Sequence, residues 1–355
     1  MINRRGPYRF LIDTGADGMG ITPQVAREAR IPASRWFVAR ISGHGGQPQR
    51  APMVTLDRIE SPGLLLQGVG GTILNPEIVA RLPASQDKIN GGIIGLGAFR
   101  DALLEIDFPR RTVSLRRLGS VTNPVAAGLP YTGTIPHVVI ATPSATRPTA
   151  TVLIDTGTGV GFLFTDIESY PTRSGLINAD EYYSGIAGYW RPRFGQLAGD
   201  IRLGAIIWRD AWIGSAEKNT LGSAALAPWK LVIDQRKKML WLLGEETVVT
   251  TRWPGPLDHD GRPAVYGFVA VPDGDEMVIK EVDAGSRAER AGLKVGDRYR
   301  WEVPRGAMGG HAPFHVTLHV TRGAEHFDVT LSLLDSLRGI APALPLPREG
   351  KPAGD

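Results

Sequence analysis

The chain repeats itself, and the repeat leaves few ways to fold it. Residues 9–17 read RFLIDTGAD and residues 151–159 read TVLIDTGTG. In each, a hydrophobic strand runs into the same triplet, Asp13-Thr14-Gly15 and Asp155-Thr156-Gly157. A second pair of segments follows, IIGLGAFRDALLEIDFPRRTVSL at 93–115 and TLGSAALAPWKLVIDQRKKMLWL at 220–242. Twelve positions separate Gly95 from Asp107, and twelve separate Gly222 from Asp234. After each of these aspartates comes a basic turn, Pro109-Arg110-Arg111 or Arg236-Lys237-Lys238, and then an alternating strand. That order reads as a β-hairpin. Two similar units are therefore expected, 1–120 and 121–247.

Between the paired signals each unit carries glycine-rich, strand-like sequence. Both stretches share a Ser-Gly-x-x-Gly element, Ser42-Gly43-His44-Gly45-Gly46 and Ser184-Gly185-Ile186-Ala187-Gly188. Glycine supplies positive φ and little bulk, which suits the tip of a mobile hairpin. The units differ at their starts. HVVIATP (137–143) reads as a strand that begins 18 positions before Asp155, whereas only twelve residues precede Asp13. The expectation is that the first unit lacks its opening strand and that the recorded start lies inside the natural gene product. The absence of a secretion signal then says nothing of location: the compartment is unknown from the sequence, and a periplasmic or secreted protein is expected only if the start is truncated in this way.

Composition removes other classes. With 42% hydrophobic and 21% charged residues the chain can bury a core. No apolar run approaches the ~18 residues of a membrane span. There is no cysteine, which excludes disulfides, thiol catalysis and cysteine-zinc sites. The 40 basic and 36 acidic side chains nearly balance, so no nucleic-acid partner is expected. Abundant glycine and proline, 44 and 27 residues, favour short strands joined by turns over long helices.

A lone Asp-Thr-Gly is an ordinary turn, since all three residues are turn formers. Two copies, each behind Leu-Ile and each leading into the same downstream pattern, point to paired carboxylates. On these triplets, the two glycine segments, Ile93-Ile94-Gly95 and the looser Thr220-Leu221-Gly222, the chain over about 1–247 resembles the pepsin-like and retropepsin-like aspartic peptidases. The resemblance implies a single-chain, two-lobed, all-β acid-protease fold of β-barrels, with Asp13 and Asp155 meeting between the lobes. Like charges ~3 Å apart cannot both ionise, so the pair holds one proton. One carboxylate acts as general base on a water while its protonated partner polarises the scissile carbonyl. No cofactor and no metal are expected.

The same resemblance implies supporting roles. Thr14 and Thr156 hydrogen-bond across the interface, and Gly15 and Gly157 let the backbone approach the carboxylates. Asp17 occupies a position that touches the substrate backbone in retroviral relatives, but Leu96-Gly97 stands where an arginine normally accompanies it. His44, Gly45, Gly188 and Tyr189 belong to flap tips that close over substrate. One asymmetry is read from the residues: Ala16 follows the first triplet and Thr158 the second. A hydroxyl at Thr158 would favour the charged form of Asp155 and leave the shared proton more often on Asp13.

After a linker at 248–261 the grammar changes. YGFVAV and EMVIKEV are strand-like around Asp273-Gly274-Asp275, and AGSRAERAGLKVGD (284–297) holds a capping box of Ser286 and Glu289 with Gly292 as helix stop. FHVTLHV and HFDVTLSL turn at Arg322-Gly323-Ala324. Residues 262–336 resemble a bacterial PDZ domain, a small α+β module. The resemblance implies capture of a protein C-terminus by the loop of Tyr266, Gly267 and Phe268. The stretch expected to form the groove helix, EVPRGAMGGHAP (302–313), is too rich in Gly and Pro for one. His311, His315 and His319 read as strand histidines, Asp258-His259-Asp260-Gly261 as a linker turn, and 337–355 as a flexible tail.

The expectation is a monomeric aspartic-type endopeptidase, most active below neutrality, whose partner is a peptide or protein substrate. The alternative is a catalytically silent peptide-binding or scaffold protein that keeps the peptidase fold and the PDZ-like module. Substrate sequence is not legible in the chain.

Overall fold

The computed structural model describes residues 1–82, 89–118, 128–173, 175–251, 265–301 and 315–332. Among them β-strand dominates, and the longest helices, Pro76–Arg81 and Pro23–Glu28, have six residues each. The all-β expectation holds. Of the expected linker at 248–261, Val248–Val249 form a short strand parallel to Ile206–Arg209 of the second unit's sheet; residues 252–261, the 302–313 stretch, His311 and the tail lie outside the described residues.

Each repeat builds one frame of three short strands. Phe10–Asp13 runs parallel to Gly92–Gly95, with Asp13 opposite Gly95, and Met19–Ile21 lies antiparallel on the far side of Gly92–Gly95. In the second unit Thr149–Asp155 runs parallel to Thr220–Gly222, with Asp155 opposite Gly222, and Phe162–Phe164 lies antiparallel beyond it. The chain after each aspartate folds tightly over the glycine. A Cβ on Gly95 would sit 2.3 Å from the Gly18 carbonyl oxygen, and one on Gly222 would sit 2.0 Å from that of Val160. Only glycine permits this crossing, which explains why the apolar-apolar-Gly element recurs.

The downstream hairpins weld the units together. Ala102–Asp107 pairs with Thr112–Arg117, and Lys230–Asp234 pairs with Met239–Leu243. The first strands of the two hairpins also pair with each other, antiparallel, so that Asp107 faces Lys230 and Leu103 faces Asp234. With Leu129–Pro130 they form one five-stranded sheet drawn from both units. The aspartates that end the repeat cap its turns. Asp107 accepts from the Arg110 N–H (3.0 Å), and Asp234 accepts from those of Arg236 (3.1 Å) and Lys237 (3.0 Å). Leu96, Phe99, Leu104 and Ile106 of the first unit share a core with Ile154, Phe162, Leu231 and Ile233 of the second. Each fully buried aliphatic side chain contributes roughly 1.5–3 kcal/mol, so this shared core sets the relation between the two strands that end in Asp13 and Asp155.

The strands differ in their flanks. Thr149–Asp155 also pairs with His137–Ala141, whereas Phe10–Asp13 has Gly92–Gly95 as its one strand partner among the described residues. Two hairpins rise over the frames. Val38–Ile41 pairs with Gln49–Ser61, and Tyr183–Ser184 pairs with Tyr189–Trp190.

A separate antiparallel sheet follows in chain order: Phe268–Asp273, Glu276–Val282, Arg298–Trp301, His315–Arg322 and Glu325–Ser332. It packs Phe268, Ile279, Ala288, Leu293, Tyr299, Leu318 and Val329 into its own core. The helix beside it, Arg287–Arg290, lasts one turn. Ser286 Oγ accepts from the Glu289 N–H (3.1 Å), but the Glu289 carboxylate returns to the Gly285 N–H (2.6 Å), one residue earlier than a capping box requires.

Candidate active site

The two triplets meet where the strands Phe10–Asp13 and Thr149–Asp155 end. The Thr14 hydroxyl donates to the Ile154 carbonyl (2.7 Å) and accepts from the Thr156 N–H (3.1 Å). The Thr156 hydroxyl donates to the Ile12 carbonyl (2.7 Å) and accepts from the Thr14 N–H (3.1 Å). Four reciprocal bonds thus lock the loops, with Thr14 wholly buried. Gly15 and Gly157 lie beneath the opposite carboxyls: a Cβ on Gly15 would stand 2.6 Å from Asp155 Cγ, and one on Gly157 2.7 Å from Asp13 Cγ. Any side chain there would wedge the pair apart.

The Asp13 and Asp155 carboxyls thus lie side by side, each against the glycine of the other's triplet, on the wall of one cavity. Burial, then the neighbouring charge of Asp155 and hydrogen bonding to it, hold the Asp13 carboxyl well above the usual carboxylate range; the N–H groups of Gly15 and Ala16 oppose the shift. The donors are unequal. Asp13 Oδ1 accepts from the Gly15 N–H and Asp155 Oδ1 from the Gly157 N–H, both at 2.8 Å, but Asp155 Oδ2 also accepts from the Thr158 hydroxyl at 2.8 Å. Ser223 holds Thr158 in place through its N–H (2.8 Å) and hydroxyl (2.9 Å), both to the Thr158 carbonyl.

Above the pair lies a cavity of about 1530 Å³. Its roof is two hairpin tips in contact. The His44 carbonyl accepts from the Ala187 N–H (3.2 Å), and a Cβ on Gly45 would strike the Gly188 carbonyl carbon at 2.4 Å. His44 is buried in the second unit, with Nε2 3.3 Å from Thr220 Oγ1 and its ring tilted on Trp190. Burial holds its imidazole below the usual value, against the pull of Asp155. Nδ1 of His44 has no partner among the described residues.

Other expected site residues are more spread. Asp17 lies on the cavity wall with Arg100, and its carbonyl accepts from the Gly97 N–H (2.7 Å). Tyr189 points outward, 57% exposed, with the Arg81 guanidinium over its ring; its neighbour Trp190 lines the cavity. Tyr266 and Gly267 lie in the C-terminal module, where their N–H groups both donate to the Asp180 carboxylate (2.8 Å from Gly267). Phe268 is buried in that module's core. Sequence reasoning missed Arg81, whose guanidinium grips the Gly185 (3.1 Å) and Ile186 (3.0 Å) carbonyls of the second tip. It also missed Thr220 and Trp190. No group of three or more metal-ligating side chains occurs among the described residues.

A family model described as "Aspartyl protease" matches residues 1–98. That stretch carries the first triplet, the first hairpin tip and Ile93-Ile94-Gly95, and it is an aspartyl protease-like domain. The match ends before Asp155. No curated protein matches the chain.

Proposed function

We propose that the chain is an aspartic-type endopeptidase in which Asp13 and Asp155 act as one catalytic pair. The observation that carries this reading is the juxtaposition of two carboxyls from two repeats, each seated over the glycine of the other's triplet and clamped by the four threonine bonds. The proton rests mainly on Asp13, whose carboxyl is pushed up, while Asp155 accepts from the Gly157 N–H and the Thr158 hydroxyl and serves as the base. A water between them gives a proton to Asp155 as its oxygen attacks the scissile carbonyl carbon, and Asp13 donates its proton to the carbonyl oxygen. The resulting diol collapses when one hydroxyl returns a proton to Asp13 and Asp155 passes its proton to the leaving nitrogen. Both carboxyls regain their starting states without a covalent intermediate.

Closed tips exclude water from the cleft, so an extended peptide enters only when the hairpins part. The units 1–120 and 121–247 then serve as the two lobes, and the substrate is a peptide or protein.

Cleavage of a peptide library from pH 3 to 8 tests the reading, run beside Asp13→Asn and Asp155→Asn. The expected result is cleavage that peaks below neutrality and falls by about 10³-fold or more in either variant. Cleavage that survives both substitutions would contradict it. A library left intact by the native chain would favour the silent scaffold.

A further inference from the structure

The chain segment that carries the second hairpin is held on both arms by the C-terminal module. On the incoming arm Asn178 donates to Asp283 (3.2 Å), the Tyr182 hydroxyl donates to Glu281, and the Asp180 carboxylate takes the N–H groups of Tyr266 and Gly267. On the outgoing arm Arg191 directly follows Tyr189–Trp190. Its guanidinium forms a two-pronged pair with Asp283 (2.6 and 2.7 Å) and a further bond to Glu281 (3.0 Å). Its Nε donates back to the Ala179 carbonyl (2.6 Å), which ties the two arms to each other. The tip between those arms, 185–188, is the one that meets His44 and Gly45 over the paired aspartates.

The contact at Asp180 differs in kind from the rest. Two consecutive backbone N–H groups converge on one carboxylate, with Gly267 at φ +84°, and a Cβ there would strike Ser286 Cβ at 2.2 Å. Such a pair of N–H groups forms an anion-binding concavity. The loop opens directly into Phe268–Asp273, the edge strand of its sheet, which pairs with Glu276–Val282 alone among the described residues. A carboxylate site at the head of a free strand edge fits the end of an extended chain: the carboxylate docks and the backbone adds to the sheet. Here a side chain from the second unit fills the site and contributes no backbone to the edge. Burial pushes the Asp180 carboxyl up to about 6 in spite of its two N–H donors, so it sits there at a cost in solvation.

We propose that Asp180 is an internal ligand that latches the C-terminal module to the base of the second hairpin, and that a peptide's terminal carboxylate, competing for the Tyr266 and Gly267 N–H groups, releases it. Release loosens the incoming arm at Asp180, next to the Ala179 carbonyl that Arg191 ties to the outgoing arm, and with it the half of the roof that the tip supplies over Asp13 and Asp155. The effect on cleavage rests on the peptidase reading above; the latch itself does not.

The test uses the full chain and a panel of fluorescein-labelled hexapeptides that differ in their last residue, each made with a free carboxylate and as an amide. Fluorescence polarisation reads binding to the native chain, Asp180→Ala and Asp180→Asn, and amide hydrogen exchange reads residues 183–190. At least one free-carboxylate peptide is expected to bind Asp180→Ala about tenfold tighter than the native chain, with Asp180→Asn between them because it keeps one acceptor. The amides should bind none of the three. Exchange at 183–190 should quicken in Asp180→Ala, and in the native chain saturated with that peptide. Equal affinity for native chain and variant, no binding of any peptide to either variant, equal binding of the amides, or unchanged exchange would each overturn the latch. Melting curves exclude misfolding, and the near-isosteric Asp180→Asn carries the test should Asp180→Ala fail to fold. Neither readout needs turnover, so an inactive enzyme leaves the result standing, while normal cleavage with unchanged exchange removes the latch alone.

Discussion

The two repeats place their aspartates on the same three-strand frame yet surround them differently. Asp13 ends a four-residue strand at the edge of its sheet, while Asp155 ends a seven-residue strand flanked on both sides. Ala16 leaves one carboxyl oxygen of Asp13 without the hydroxyl that Thr158 offers to Asp155. The first hairpin reaches across the cleft and buries His44 beside Thr220; the second is short and braced from outside by the C-terminal module. Geometry needed to bring the carboxyls together is duplicated, and what decides where the proton and the roof sit is not. Symmetric scaffolding with asymmetric trimmings lets two chemically equal groups take different parts.

The common scaffolding should be the costliest to disturb. Thr14→Ala removes a hydroxyl that serves both the Ile154 carbonyl and the Thr156 N–H, so two interior groups lose their partner. The expected loss is about 2–6 kcal/mol, at ~1–3 kcal/mol for each unsatisfied group, read as a lowered denaturation midpoint together with a drop in activity. Thr156→Ala should match it through the Ile12 carbonyl and the Thr14 N–H; a large difference between the two would break the symmetry of the clamp.

The pair itself gives the next effect. Because the folded chain holds the Asp13 carboxyl well above its unfolded range, its contribution to stability is full below the unfolded value of about 4 and is lost as pH rises through the raised folded value. Melting temperature should therefore fall between mildly acid and alkaline pH. Asp13→Asn removes the charge conflict and should flatten that fall, leaving the variant more stable than the native chain at pH 8. A native curve parallel to that of Asp13→Asn would remove the coupling.

Thr158→Ala sharpens the asymmetry. Loss of a bond worth about 1 kcal/mol to Oδ2 of the proposed base, Asp155, should move the acid limb of the pH–rate profile upward by somewhat under one pH unit. Ala16→Thr, its mirror, should lower the hold of Asp13 on the proton. Smallest of all, Arg81→Ala frees two carbonyls of the second tip and should raise KM a few-fold with little change in kcat, as steady-state kinetics would read.

What was legible in the sequence follows the same division. Asp-Thr-Gly and Ile93-Ile94-Gly95 are local demands of backbone crossing, and Asp107 and Asp234 cap turns within three residues, so each leaves a pattern at fixed spacing. Thr158 was legible for the same reason, since its hydroxyl reaches an aspartate three positions away. Arg81 meets carbonyls 104 and 105 positions on, and Asp180 meets Tyr266 at 86, and such separations carry no periodic signal. Tyr189 and Trp190 show a third limit. Neighbours on a strand face opposite ways, and no local cue sets which of the two turns inward.

Carboxyl-carbon NMR of the aspartate-labelled chain, titrated from pH 2 to 9 and assigned through Asp13→Asn and Asp155→Asn, measures the shared proton directly. The account predicts that Asp13 and Asp155 titrate as one coupled pair in two separated steps, with a single proton retained where ordinary surface aspartates are already ionised. Each variant should return the remaining aspartate to a single step. Two independent titrations near the ordinary aspartate value in the native chain would contradict it.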